Sequence, residues 1–230
     1  MEEPLLFLTI PTRGDEPGVL ANLVRDSGIP RDRVIIIRTD PRATTPDNVT
    51  VVDDFGDINI HRWWNTGIQQ AQALGASSVA VLNDDIKVSA GTLNQLHSAL
   101  HETGATIATP GKRLAIHKRS MHPDRFLVGS IWVINPHHGL RPSEDFRWFF
   151  GDDDMDIRAR IEFSGIVTVP TDFEHLRPGQ ATDSSVTLQA LVREDERLFR
   201  RRHPARFVYR KLWHRTQGRA SKALRSLFAD

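Results

Sequence analysis

The chain of 230 residues contains no cysteine. That excludes disulfides, zinc–thiolate sites and thiol nucleophiles together. No apolar run approaches the roughly 20 residues that span a bilayer. The first residues, "MEEPLLFLTIPTRG", are acidic and their apolar run is short, so no signal peptide is expected. These absences predict a cytoplasmic protein. There is no internal repeat and no low-complexity stretch. What remains is ordinary for a globular domain, with 39% hydrophobic and 26% charged residues.

The net charge of +1 hides an asymmetry. Residues 188–230 carry twelve Arg or Lys against four Asp or Glu, about +8, which leaves the rest near −7. The basic charge is mostly arginine, which suits planar, multi-donor binding of phosphate or carboxylate.

Hydrophobic patterning predicts alternating strands and helices over the first 110 residues. "LLFLTI", "RVIIIRTD", "NVTVVDD", "SSVAVLNDD" and "ATIATP" read as buried strands. "PGVLANLVRDSG" reads as a helix with Pro17 near its start and Gly28 past its end. A second helix runs through Trp64, Ile68, Ala71 and Leu74 and stops at Gly75; a third is capped by Ser89 and reaches Glu102. This alternation predicts a mainly parallel sheet with helices on both faces. Ligands in such sheets bind beyond the carboxyl ends of the strands. There the sequence places Thr12, Arg13, Asp40, Asp53, Asp54, Asn83, Asp84 and Asp85, a polar and acidic rim. In the second half, residues 110–125 read as a mobile basic loop, and "FLVGSIWVIN" and "IVTVP" as strands. Residues from 186 onward read as a basic helical tail broken at Pro204 and Gly218.

Three segments carry chemistry. "LNDD" puts Asn83, Asp84 and Asp85 at a strand end, where carboxylates can hold a hard divalent cation. "FFGDDDMDIRAR" (149–160) has four aspartates in five residues. A helix starting near Asp153 favours acids in its first turn, and Arg158 and Arg160 stand at i+4 from Asp154 and Asp156. The aromatic approach "FRWFF" suits an acceptor pocket, with Trp148 as its platform. "EHLRPGQATDSS" (174–185) brings His175, one of ten histidines. Trp63, Trp64 and Trp132 read as core.

Taken in order, these segments resemble the GT-A-fold family 2 glycosyltransferases over roughly residues 4–185. The resemblance rests on "LTIPTRG", on Asp40 after the second strand, and on Asn65-Thr66-Gly67. It also rests on "LNDD" in place of D-x-D, on "DDMDIRAR" in place of an acidic motif ending in arginine, and on His175. The chain departs from the family pattern at Asn83, Asp153 and Trp64. The resemblance implies a GT-A (nucleotide-diphospho-sugar transferase) domain over 1–185, with a nucleotide-sugar-binding half (1–110) and an acceptor half (111–185), before a tail (186–230). It implies donor contacts from Pro11, Thr12, Arg13, Asp40, Asn65, Asn83 and Asp84, and Mn2+ or Mg2+ on Asp85 and His175. It also implies Asp154 as the general base of an inverting transfer, with Asp153 as the neighbour that takes the role under a one-residue shift.

The acceptor stays open among a protein, a glycan, a lipid and a modified nucleobase. The tail admits three readings: a packing or homo-oligomerisation helix, a peripheral contact with an anionic membrane, and a nucleic-acid contact. Two alternatives to glycosyl transfer stand beside it. One is a sugar-phosphate nucleotidyltransferase, for which "PTRGDEPG" is a poor phosphate loop. The other is a nucleic-acid-binding protein acting through the tail.

Overall fold

The structure, a computed structural model, describes residues 4–120, 124–177 and 180–205. The tail aromatics Phe207, Tyr209, Trp213 and Phe228 and the break at Gly218 lie outside the described residues.

Strand β1 (Leu6–Thr12) is buried along its whole length. It pairs in parallel with β2 (Val34–Arg38), which pairs in parallel with β3 (Thr50–Asp53), and on its other side with β4 (Ser78–Leu82). Beyond β4 the sheet becomes mixed. β8 (Ile131–Ile134) runs antiparallel to β4 and to β6 (Ile107–Pro110), and β9 (Ile166–Val169) is parallel to β6. The edge strand β7 (Ala115–His117) is antiparallel to β9. The order is β3-β2-β1-β4-β8-β6-β9-β7, so six of eight strands share one direction.

Helices cover both faces, which explains the unbroken Ile/Val/Leu runs. One face packs Leu8, Ile10, Ile36 and Val133 against α1 (Pro17–Asp26) and α3 (Thr92–Thr103). The other packs Phe7, Ile35, Val81 and Trp132 against α2 (Ile60–Ala73) and α4 (Gly151–Ile161). Each fully buried side chain of this kind contributes roughly 1.5–3 kcal/mol. Where α2 crosses β1, a side chain at Gly67 would put Cβ 1.8 Å from Thr9 Oγ1. The glycine of the Asn-x-Gly segment is thus a packing residue. Trp63, Trp64 and Trp132 are buried in this layer.

Several local expectations are corrected. Ser89 does not cap α3; Gly91 does, in the left-handed region, while the Ser89 carbonyl accepts the Thr92 N–H. Residues 110–125 are not simply a loop, because they supply edge strand β7. Helix α4 begins at Gly151, two residues before Asp153.

Two short strands, β5 (Ile86–Val88) and β10 (Phe173–His175), form a separate antiparallel pair. It joins the end of "LNDD" to "EHLR". After α5 (Gln180–Asp183), helix α6 (Val186–Arg202) lies across the acceptor half. Its Phe199 packs with Phe146 and Ile157 in a small third core. No described helix is long and apolar enough to cross a membrane.

Candidate active site

Two adjoining cavities open at the carboxyl ends of β1, β2 and β4. The first, about 310 Å³, is lined by Pro11, Thr12, Arg13, Thr39, Trp63 and Asn83-Asp84-Asp85, among others. The second, about 460 Å³, is lined by His61, Arg125, Gly129, Asp152, Phe173 and His175 with others. They share Ile60, Asn83, Asp85, Trp148 and Arg177.

The first cavity is built by backbone continuity. Thr12 ends β1, and its hydroxyl donates to Asp84 Oδ2 at 2.7 Å while accepting the Gly14 N–H. The ends of β1 and β4 are thereby tied together. Burial pushes the Asp84 carboxyl up, and the Thr12 hydroxyl pulls against that shift. Arg13 pairs with Asp15 at the rim.

At the junction, His175 Nε2 lies 3.1 Å from Asp85 Oδ2. The β5–β10 pair holds them there: His175 is opposite Ile86, and the Leu176 N–H donates to the Asp85 carbonyl. Beside them, Asn83 Oδ1 is buried without a hydrogen-bond partner. A carboxylate, an imidazole and an orphaned amide oxygen form a donor set that fits one divalent cation. Among the described residues, no group of three or more His, Cys, Asp or Glu could hold a metal ion. The chain itself therefore offers at most a partial coordination shell here.

The aspartate run divides by helix face. Asp156 accepts the Phe126 and Leu127 N–H groups and pairs with buried Arg160, so it fixes the segment entering β8. Asp154 is fully buried and faces away from both cavities. His203 Nε2 lies 2.8 Å from it and Arg158 Nη1 3.4 Å, and it lines a different cleft with Arg141 and Arg202. Burial would raise its pKa, but His203, Arg158 and Arg202 outweigh that and hold it low. Asp153 is 6% exposed, with Arg125 3.4 Å away.

Asp152 is the member that lines the second cavity. It pairs with Arg125, whose own pKa this carboxylate raises. Gly129 makes room for its carboxylate, and Gly151 lets the start of α4 sit against His61. A Cβ on Gly129 would lie 2.1 Å from Asp152 Oδ2, and one on Gly151 would lie 2.1 Å from His61 Nε2. His61 is buried and its pKa is lowered chiefly by that burial. The neutral ring donates from Nδ1 to the Phe146 carbonyl at 2.8 Å. Phe150, just before the helix, has φ 61°, a left-handed conformation that costs a phenylalanine about 1–2 kcal/mol.

The expected site residues therefore divide. Pro11, Thr12, Arg13, Asn83, Asp84, Asp85, His175 and Trp148 meet at these cavities. Asp40 does not: Arg42 chelates its carboxylate and lowers its pKa to about 2. Asn65 does not either, because its amide donates to the Pro142 carbonyl and to Glu144. Asp153 and Asp154 lie outside both linings, whereas Asp152, Arg125, Gly129 and Arg177 belong to the site or shape it. Trp148 is held by its indole N–H, which donates to Thr182 Oγ1 at 2.8 Å.

No family model matches the chain, and no curated protein matches it. Solved structures do. S. aureus TarS 1-349 aligns over 77% of this chain and 62% of that one, with TM-score 0.54 and 12% identity. The same protein in complex with UDP-GlcNAc aligns over 83% and 65%, with TM-score 0.56 and 10% identity. Mannosyltransferase PcManGT from Pyrobaculum calidifontis, in complex with GDP-Man and Mn2+, aligns over 74% and 55%, with TM-score 0.56 and 16% identity. The chain spans less than two-thirds of the length of each of these solved chains. The likeness is one of fold: a mixed α/β, GT-A-like architecture with a mostly parallel central sheet.

Proposed function

We propose that this chain is a glycosyltransferase of the family 2 kind, moving one sugar from a nucleoside-diphosphate sugar to an acceptor hydroxyl. The observation that carries the reading is the junction of the two cavities. A donor-sized cleft and a second cleft with a carboxylate wall meet at Asn83, Asp85, Trp148 and Arg177. The fold likeness to chains solved in complex with UDP, UDP-GlcNAc and GDP-Man supports the same reading.

In this reading the nucleoside lies along Pro11, Thr12, Arg13 and Thr39. Asp85 and His175 would hold Mn2+ or Mg2+, which when bound supplies positive charge to the leaving diphosphate. Trp148 forms the wall between donor sugar and acceptor. The acceptor oxygen attacks the anomeric carbon from the Asp152 side. Its proton passes to the Asp152 carboxylate as the bond to the diphosphate oxygen breaks, and the nucleoside diphosphate leaves. A single displacement with one base inverts the anomeric centre. The role assigned to Asp154 by motif position passes to Asp152, because the Asp154 carboxylate is enclosed by His203 and Arg158. Arg125 orients Asp152 for this role.

The test is product analysis with a panel of nucleotide sugars and Mn2+. Release of a nucleoside diphosphate together with a glycosylated acceptor or free sugar is the expected result. Release of pyrophosphate from a nucleoside triphosphate and a sugar phosphate would replace it with nucleotidyl transfer.

A further inference from the structure

Arg177 stands two residues past His175, just beyond the end of β10. The segment is anchored by the Leu176 N–H on the Asp85 carbonyl, so Arg177 is carried to the same junction as His175. Arg13 lines only the first cavity and Arg125 only the second. Among the described residues, Arg177 is the one arginine or lysine that lines both. Its charge also reaches half-buried Asp84, opposing in part the upward push of desolvation on that carboxyl.

Along the first cavity Asp15, Asp84 and Asp85 outnumber Arg13, which is itself paired with Asp15. A polyanion entering there meets carboxylates, and a guanidinium fork is the side chain best shaped to hold its oxygens. Yet the fork is engaged: Arg177 Nη1 lies 2.7 Å from Glu16 Oε1. Glu16 is the N-cap residue of α1 and makes no side-chain cap to the helix. Its carboxylate is 48% exposed, so helix capping does not explain its place.

We propose that Arg177 is a ligand for the donor's diphosphate and that Glu16 competes with the diphosphate for it. The Glu16–Arg177 pair is then a latch: entry of a nucleoside diphosphate exchanges a carboxylate for phosphate oxygens. This rests on the nucleotide-sugar reading above.

Isothermal titration of the full chain with ADP, CDP, GDP, UDP and dTDP, each with Mn2+, identifies the diphosphate that binds. R177Q is expected to weaken that diphosphate about tenfold to a hundredfold, the scale of hydrogen bonds to charged groups, and to leave the matching nucleoside unchanged. R177K should retain part of the affinity. E16Q should tighten diphosphate binding about two- to fivefold, the worth of an exposed ion pair, and that gain should vanish in the E16Q/R177Q double variant. Diphosphate affinities unchanged in both single variants would overturn the latch and leave the donor reading standing. Equal losses for nucleoside and diphosphate in R177Q would also overturn it. Failure of every diphosphate to bind the unaltered chain would overturn the donor reading, and the latch with it. Should R177Q fold poorly by circular dichroism, the E16Q arm carries the test alone, and no gain in it overturns the latch.

Discussion

Asp195 on α6 takes the Trp148 backbone N–H at 2.8 Å, together with the N–H groups of Arg147 and Phe149. A carboxylate that is 2% exposed thus cradles three successive amides of the turn leading into α4. The next residue is Phe150, in its left-handed conformation and stacked on Phe199 of α6. The tail helix therefore helps to shape the turn that presents Asp152.

Replacing Asp195 with alanine should destabilise the fold by about 3 kcal/mol, because three amides lose one buried charged acceptor. Asp195→Asn, which keeps one acceptor oxygen, should cost less. Urea unfolding of both variants measures this. Equal stability of the alanine variant and the unaltered chain would show that the cradle contributes nothing.

Asp152→Asn should lower transfer by about a hundredfold or more while leaving diphosphate binding intact. Asp154→Asn should behave in the opposite way. It breaks a buried charge cluster and should cost about 3–5 kcal/mol, yet its folded fraction should still turn over. Rates normalised to folded protein separate the two, and a folded but inactive Asp154→Asn beside an active Asp152→Asn would return the base to Asp154.

Gly129→Ala should act through Asp152 rather than through the fold. The new Cβ would stand 2.1 Å from Asp152 Oδ2, at the end of a side chain that can swing aside. A shift of about 1 Å at the base is enough for roughly a hundredfold loss of rate. The melting temperature should change little. A rate equal to that of the unaltered chain would mean that the Asp152 position does not matter.

Asp85→Ala should remove the effect of Mn2+ on diphosphate affinity, read by titration with and without the ion. The unaltered chain should bind the diphosphate more tightly with Mn2+, and the variant should bind it equally in both conditions. An undiminished Mn2+ effect in the variant would move the ion away from Asp85 and His175.

Acid should weaken the fold in two stages. His61 has a lowered folded pKa against an ordinary value of 6.5. Above that value neither state binds the proton. Below it the unfolded chain binds a proton that the folded chain refuses, so stability falls by up to about 1.4 kcal/mol per pH unit. Asp154, also lowered, adds a second loss beginning near 3.8. His61→Asn keeps a donor for the Phe146 carbonyl but cannot titrate, so melting curves from pH 7.5 to 5 should flatten, keeping only the share of His101 and His138, whose pKa values burial also lowers. An unchanged slope would assign that stage to another group.

Much of this arrangement was legible in local pattern. Buried strands announced themselves as apolar runs, and the i+4 spacing foretold the Asp154–Arg158 and Asp156–Arg160 pairs. Those pairs also contain the reason Asp154 faces away: an aspartate committed to an arginine one turn on is turned to that arginine's side of the helix. Asp152 has another aspartate at i+4, and its place depends on the gap left by Gly129, 23 residues earlier in the chain. No local pattern reveals such a gap. Asp40 and Asn65 sat at the right motif positions, but Arg42 and Glu144 already occupy them. Asp195 stands between Glu194 and Glu196 in a basic helix, and only tertiary packing shows which of the three serves the amides.

The dependence of the turn on α6 has a consequence for the order of assembly during synthesis. Strands β1 to β4 can pair as soon as residue 82 has left the ribosome. The turn at 147–150 must wait until Asp195 has emerged. A nascent chain should therefore complete the rim where Thr12 meets Asp84 before it gains the geometry that presents Asp152. The floor of the cleft would form first, and its far wall, with Trp148, last.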